Sequence, residues 1–233
     1  MEGKMMEEYP LSDLVINGVS GAAGGTYENV RIEGVGKVSG TIVARRFNGN
    51  GHIRLKADIT ADELECNGTM NVKGNMKFGN MKADGLLTIG GGVSGESCEL
   101  NGMMSIKGDC ELEHFTGKGG FTVGGLLSAG QLDFCLQGQG KASEIGVESL
   151  VIRQADNGMW NKLLSGIIPK LKPELRVGVI EGDYIDIEYT NADIVRGNVV
   201  IIGQGCSIGR VEYRSKLSVH PGATIMKEEK VND

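Results

Sequence analysis

Hydrophobic and polar positions recur every 17 residues over much of this chain. With Gly34 as position one, glycine heads successive repeats at Gly34, Gly51, Gly68, Gly85, Gly102 and Gly119. The fifth position reads Val38, Leu55, Val72, Ile89, Ile106, Val123, and the ninth Ile42, Ile59, Met76, Val93, Cys110, Leu127. The fourteenth reads Phe47, Leu64, Met81, Cys98, Phe115, Leu132. The seventh is always small: Gly40, Ala57, Gly74, Gly91, Gly108, Gly125. Within a repeat the alternation has period two, with Met104 and Ile106 facing one way and Ser105 and Lys107 the other, as in a strand. No stretch inside a repeat has room for a helix and a strand. A hairpin-based array is one reading, but a coil of three short strands, broken near the glycine and between positions eleven and fourteen, fits the repeat better.

Coils of this kind, stacked in register, make an all-β parallel β-helix. Like residues pile on like, and each coil bonds to its neighbours about 4.8 Å away. One coil cannot bury its own face, so several are needed. The first coil is one residue short: Asn17-Gly18 heads it, and Val30 and Ile32 match the later inward columns. The main stack is assigned to 14–144. A second patterned block, 177–226, follows from Ile202, Gly205, Cys206 and Ile208 recurring as Val219, Gly222, Ala223 and Ile225, with Ile185 leading Ile202 by the same step. Residues 1–13 and 227–233 read as tails, the second charged and solvated. Residues 145–176 break the rule. Met159, Trp160, Leu163, Leu164, Ile167, Ile168 and Leu171 share one helical face beside Lys162 and Lys170, with Gly166 and Pro169 as interruptions. This is a short amphipathic excursion. It either caps one end of the stack or docks, through Trp160, Leu163, Leu164, Ile167 and Ile168, onto a partner or a membrane surface.

Composition agrees with strands and tight turns. Glycine supplies 38 of 233 residues and aromatics only 5%, which disfavours a helical bundle. A net charge of −6 without a basic stripe argues against a general nucleic-acid binder. Five cysteines without a CxxC pair suggest neither a disulfide framework nor a zinc site. Cys66, Cys98 and Cys110 fall in or beside inward columns, where a thiol acts as a small hydrophobe. MEGKMMEEYPLSD has no apolar core of a secretory signal, and no run of 18 apolar residues occurs. The expected compartment is the cytoplasm, with a peripheral place at the inner face of the cell membrane left open.

Enzymatic chemistry finds little support. GxxxxGK[ST] is missing, and GGTYEN and GGGVSGES do not lie between a strand and a long helix, so no nucleotide, other cofactor or metal is expected. Two enzyme classes share this kind of scaffold. A hexapeptide-type acyltransferase would sustain a six-residue rhythm, which IIGQGCSIG begins and Arg214, six beyond Ile208, breaks. Its histidine candidates, His52, His114 and His220, read as solvated or turn residues. A polysaccharide-acting enzyme needs clustered carboxylates or a calcium site on one lateral face. The fifteenth column, Asn48, Glu65, Lys82, Glu99, Thr116, Asp133, reads instead as a charge ladder that discourages lateral association.

The glycine-rich coils followed by VIEGDYIDIEYTNADIVRGNVVIIGQGCSIGRVEY, Val179 to Tyr213, resemble the bactofilin family, in its longer Firmicutes form. TNADIVRGNVVIIG and GCSIGRVEY carry most of the likeness. The resemblance implies a right-handed β-helix that polymerises without nucleotide. It further implies a cytoskeletal scaffold for cell shape, envelope or appendage assembly, with partners that are its own copies and membrane or envelope proteins. Family members commonly reach the membrane by a short apolar N-terminal segment; here Glu2, Glu7 and Glu8 dilute the apolar character of Met1, Met5 and Met6. Coils at incompletely capped ends can pair with another molecule. Val15, Ile16 and Val19 at one end and Leu217, Val219 and Ile225 at the other are the candidate contacts.

Overall fold

A computed structural model describes residues 11–155 and 173–231. The strands are β1 (Leu14–Ala22), β2 (Gly25–Val38), β3 (Ile42–Leu55), β4 (Ile59–Val72), β5 (Met76–Ile89), β6 (Val93–Ile106), β7 (Cys110–Val123), β8 (Leu126–Gln154), β9 (Glu174–Ile187), β10 (Thr190–Ile202), β11 (Ser207–Val219) and β12 (Thr224–Lys230). They form one 12-stranded sheet in chain order. All neighbouring strands pair in parallel. Parallel neighbours need a crossover of a dozen residues or more. Here the links between β2 and β7 are three residues long. The strand itself must therefore circle back above its own start, and the fold is a parallel β-solenoid with a repeat of about 17 residues.

The register stacks Ile42, Ile59, Met76, Val93, Cys110 and Leu127 in one file. Every residue expected in the fifth, ninth and fourteenth columns is 4% exposed or less. Three more inward columns lie between them. The third holds Ile53, Met70, Leu87, Met104 and Phe121; the eleventh Ala44, Ala61, Phe78, Gly95, Leu112 and Ala129; the sixteenth Ile32, Gly49, Cys66, Ala83, Leu100, Gly117 and Phe134. These columns vary in size because their neighbours compensate. A Cβ on Gly49 would sit 2.2 Å from Ile53 Cδ1, and one on Gly95 would sit 2.4 Å from the Phe78 ring. Phe115, Phe121 and Phe134 meet with centroids 5.2–5.7 Å apart, in tilted and edge-on contacts.

Two glycine columns have separate causes. From Gly34 to Gly119, position one has φ between +105° and +140°, and an added Cβ would lie 1.9–2.4 Å from the carbonyl oxygen of the glycine one coil earlier. Position seven is small for another reason. Asp58 Oδ1 accepts the N–H of Asn75 at 2.7 Å, Asn75 Oδ1 that of Gly92 at 2.9 Å, and Asp109 Oδ1 that of Leu126 at 2.9 Å. A Cβ on Gly74, Gly91 or Gly125 would fall 2.1, 2.3 or 1.9 Å from that same oxygen. The turn is thus tied by a carboxylate or amide at position eight that demands an empty position seven one coil later.

The structure corrects several boundaries. Strands are not broken at the glycine corner: β4 runs through Gly68, because every coil bends at the same place and the ladder continues around it. Residues 145–154 and 174–176, expected in the excursion, belong to β8 and β9, with Ile145 paired to Ile180 and Ile152 to Ile187. Their apolar positions continue the inward columns, which suffices to keep them in the stack. Trp160, Leu163, Leu164, Ile167 and Ile168 lie outside the described residues. Ile185 does not stack beneath Ile202. The β9–β10 coil is shorter, so Ile185 pairs with Val200 and Ile187 with Ile202. A bulge between Gly197 and Val199 then restores the longer step, and Ile202 pairs with Val219 and Ile208 with Ile225 as expected. Residues 227–230 are not a loose tail but part of β12, paired to Arg210–Tyr213. Ile225 packs on the core at the start of β12, and ladder hydrogen bonds carry the strand on through 227–230.

Candidate functional site: the two ends of the stack

The inward columns run the length of the molecule and stop at two ends. At the N-terminal end, Leu14 and Ile16 head columns fourteen and sixteen, and Ala22 heads column five. Gly25 and Tyr27 head columns nine and eleven one coil further in. Val15, Ile16 and Val19 do not share a face. Val15 pairs with Arg31 and Val19 with Val35, so both point outward at 58% and 84% exposure, whereas Ile16 points inward and is 4% exposed. Strand alternation separates them. Tyr27 folds back at this end, its hydroxyl donating to the Gly24 carbonyl at 3.0 Å.

At the C-terminal end, Leu217, Val219 and Ile225 all finish inward columns. Leu217 stands over Val200 and Ile185, Val219 over Ile202 and Ile187, and Ile225 over Ile208 and Ala192. Val219 is 40% exposed although every residue beneath it is buried. Column three ends with Ala223 over Cys206, and the other two columns end in charge. Column nine reads Ile145, Ile180, Val195, Val211 and then Glu228; column eleven ends with Lys230 over Tyr213. Sequence reasoning missed this. The signal was the spacing of Glu228 and Lys230 from Ile225, which places them on inward positions of a continuing strand. Among the described residues, no strand pairs with the outer edge of β1, of β12, or of Arg214–Val219.

The lateral faces are polar and internally paired. Asn48 Nδ2 donates to Glu65 at 2.8 Å, Lys82 lies 3.7 Å from Glu99, and Arg46 pairs with Glu63 at 3.0 Å, giving the ladder expected along this face. These pairs are exposed and contribute little stability. A second ladder joins Glu181, Arg196 and Glu212, with Arg196 2.6 Å from Glu212 and 3.7 Å from Glu181. It lines a groove of about 500 Å³ together with Gly182 and Gly197, and within it Arg196 is paired with two carboxylates. His52 accepts from Arg54 Nε at 3.1 Å, His220 Nδ1 accepts the Gly222 N–H at 3.0 Å, and His114 is exposed. Among the described residues, no group of three or more His, Cys, Asp or Glu is placed to hold a metal. No helix among them is long and apolar enough to cross a membrane. Cys66, Cys98, Cys110 and Cys206 are buried. Desolvation pushes the thiols of Cys66 and Cys206 up to about 11 and that of Cys110 to about 12, and raises Cys98 as well. They stay neutral and pack as hydrophobes.

Comparison with known proteins gives two relatives from Bacillus subtilis (strain 168). The chain is 34% identical over 107 residues to "Uncharacterized protein YhbF", covering 46% of this chain and 42% of that one. It is 39% identical over 101 residues to "Uncharacterized protein YhbE", covering 43% and 40%. The chain thus spans about two fifths of the length of the curated relatives it matches. No family model and no solved structure matches it.

Proposed function

We propose that this protein is a non-enzymatic, nucleotide-independent scaffold of bactofilin type that assembles with its own copies end to end. The observation that carries the reading is the run-out of the apolar columns at both ends, beside strand edges that no described residue pairs. A solenoid without capping coils offers backbone donors and acceptors and a cross-section of its core to the next molecule. The polar, self-paired sides favour growth along the axis over sideways stacking. Such a polymer would support envelope, shape or appendage assembly from the cytoplasmic side of the membrane, with a membrane surface or envelope protein as the second partner. Sedimentation of the purified full chain, with and without ATP or GTP, tests the proposal. Concentration-dependent assembly indifferent to nucleotide is expected. A species of fixed size that binds acyl-CoA or an oligosaccharide would favour a β-helical enzyme instead.

A further inference from the structure

One stretch of the sides departs from the self-paired pattern. Within β8 the coil loses a residue at one turn. The inward residues that flank this turn are four apart at Val123 and Leu127, but three apart at Ala142 and Ile145, Val177 and Ile180, Ala192 and Val195, and Ile208 and Val211. Leu126 belongs to the last wide turn and is 42% exposed. Val231, just past β12, is equally exposed. Both line the groove of about 500 Å³, with Val147 and Val179 from the coils between. Leu126, Glu144, Glu181, Arg196, Glu212 and Val231 stand on successive coils along it. At about 4.8 Å per coil the groove runs about 24 Å, the length of about seven extended residues.

The register also sets the charge along the groove. Gly146 pairs with Glu181, Glu181 with Arg196, and Arg196 with Glu212. Arg196 leans toward Glu212, at 2.6 Å against 3.7 Å from Glu181, and the Glu181 side chain stays 67% exposed. On its other flank Glu181 meets no cation, because Gly146 stands there with Glu144 two residues before it. Glu144 and Asp183 are exposed and make no ion pair among the described residues. We propose that the groove docks an extended stretch of a partner protein that carries Lys or Arg beside apolar side chains, with one cation over Gly146 between Glu144 and Glu181. This rests on the scaffold reading and names the contact by which the scaffold holds a partner. The lining sets Glu144, Glu181, Asp183 and Glu212 against Arg196 and Arg214, so its field selects a cation. Its exposed apolar ends, Leu126 and Val231, favour a peptide over a bare ion. The atom nearest to a Cβ built on Gly146 is Leu126 Cδ1 at 4.0 Å, which leaves room for a lysine stem to lie against Leu126.

The test titrates the full chain into fluorescein-labelled peptides KVKLKVK and EVELEVE at about 0.1 M salt, with anisotropy as the readout. The basic peptide should bind and the acidic one should not. Gly146→Lys fills the open place from within and should weaken binding by about tenfold or more. Gly146→Ala should stay within about twofold of the parent, and so should Thr116→Lys, which adds the same charge at an exposed position of another column. The double variant Glu144→Gln/Glu181→Gln should also lose affinity, which covers a lysine variant that fails to fold. Equal losses from Gly146→Lys and Thr116→Lys, or no binding of the basic peptide by the parent, would overturn the proposal. Sedimentation of the same samples separates this from self-assembly. Gly146→Lys that still assembles but no longer binds peptide supports both readings. A parent chain that binds peptide through Gly146 yet never sediments would overturn assembly and leave the groove standing.

Discussion

At the residue scale the corner glycines act through backbone, not through softness. Gly68 has φ of +121° and a Cβ there would lie 2.4 Å from the Gly51 carbonyl oxygen, an atom fixed by the ladder. Gly68→Ala should cost about 3 kcal/mol or prevent folding, while Gly146→Ala, with its nearest neighbour at 4.0 Å, should cost less than about 1 kcal/mol. Urea unfolding of the pair separates the two. The buried thiols give a second expectation. Their folded values lie above the ordinary 9.0, so the unfolded chain loses protons first as pH rises. Stability should be level below about pH 9 and fall from there through about pH 11, with a shallower decline when Cys66 and Cys110 are replaced by Ala or Val, because Cys98 and Cys206 remain. Melting temperatures across that range check the sign.

At the element scale, what could be read from the chain depended on column composition. Columns five, nine and fourteen hold large apolar residues in nearly every coil and stood out. Columns three, eleven and sixteen mix Gly36, Gly49, Ala61, Gly95 and Gly117 with Met, Leu and Phe. Their burial is set by neighbours in the same coil, such as Ile53 filling the space above Gly49, and one-column reading cannot see that. The β9–β10 step was misplaced because a shortened coil moves Ile185 from beneath Ile202 to beneath Val200 without changing residue type. β12 was lost because charge on Lys227, Glu228, Glu229 and Lys230 hid a strand held by its backbone. The end residues were only partly grouped. Leu217, Val219 and Ile225 do share the cross-section, but alternation sends Val15 and Val19 outward. Where β8 gives way to β9, Arg153 bonds Asp186 at 2.5 Å and lies 3.9 Å from Glu188, while Gln154 Nε2 donates to the Pro173 carbonyl at 3.0 Å. The coil is therefore closed across that junction. Replacing 156–172 by a short Gly-Ser link should preserve the strand signal in circular dichroism and shift Tm by only a few degrees.

At the scale of the whole molecule, the described coils leave the core uncovered at two ends, and the proposed assembly rests on those ends. The sides carry ion pairs that satisfy one another, the interior carries neutral thiols and aromatic contacts, and the apolar cross-section surfaces at Leu217, Val219 and Ile225. The central question is whether that cross-section joins molecules. Negative-stain electron microscopy of the full chain without nucleotide, beside a Leu217→Asp/Val219→Asp variant of unchanged circular dichroism, asks this most directly. Unbranched filaments from the parent chain and isolated particles from the variant are the predicted result; isolated particles from the parent at every concentration, or equal filaments from both, would contradict it.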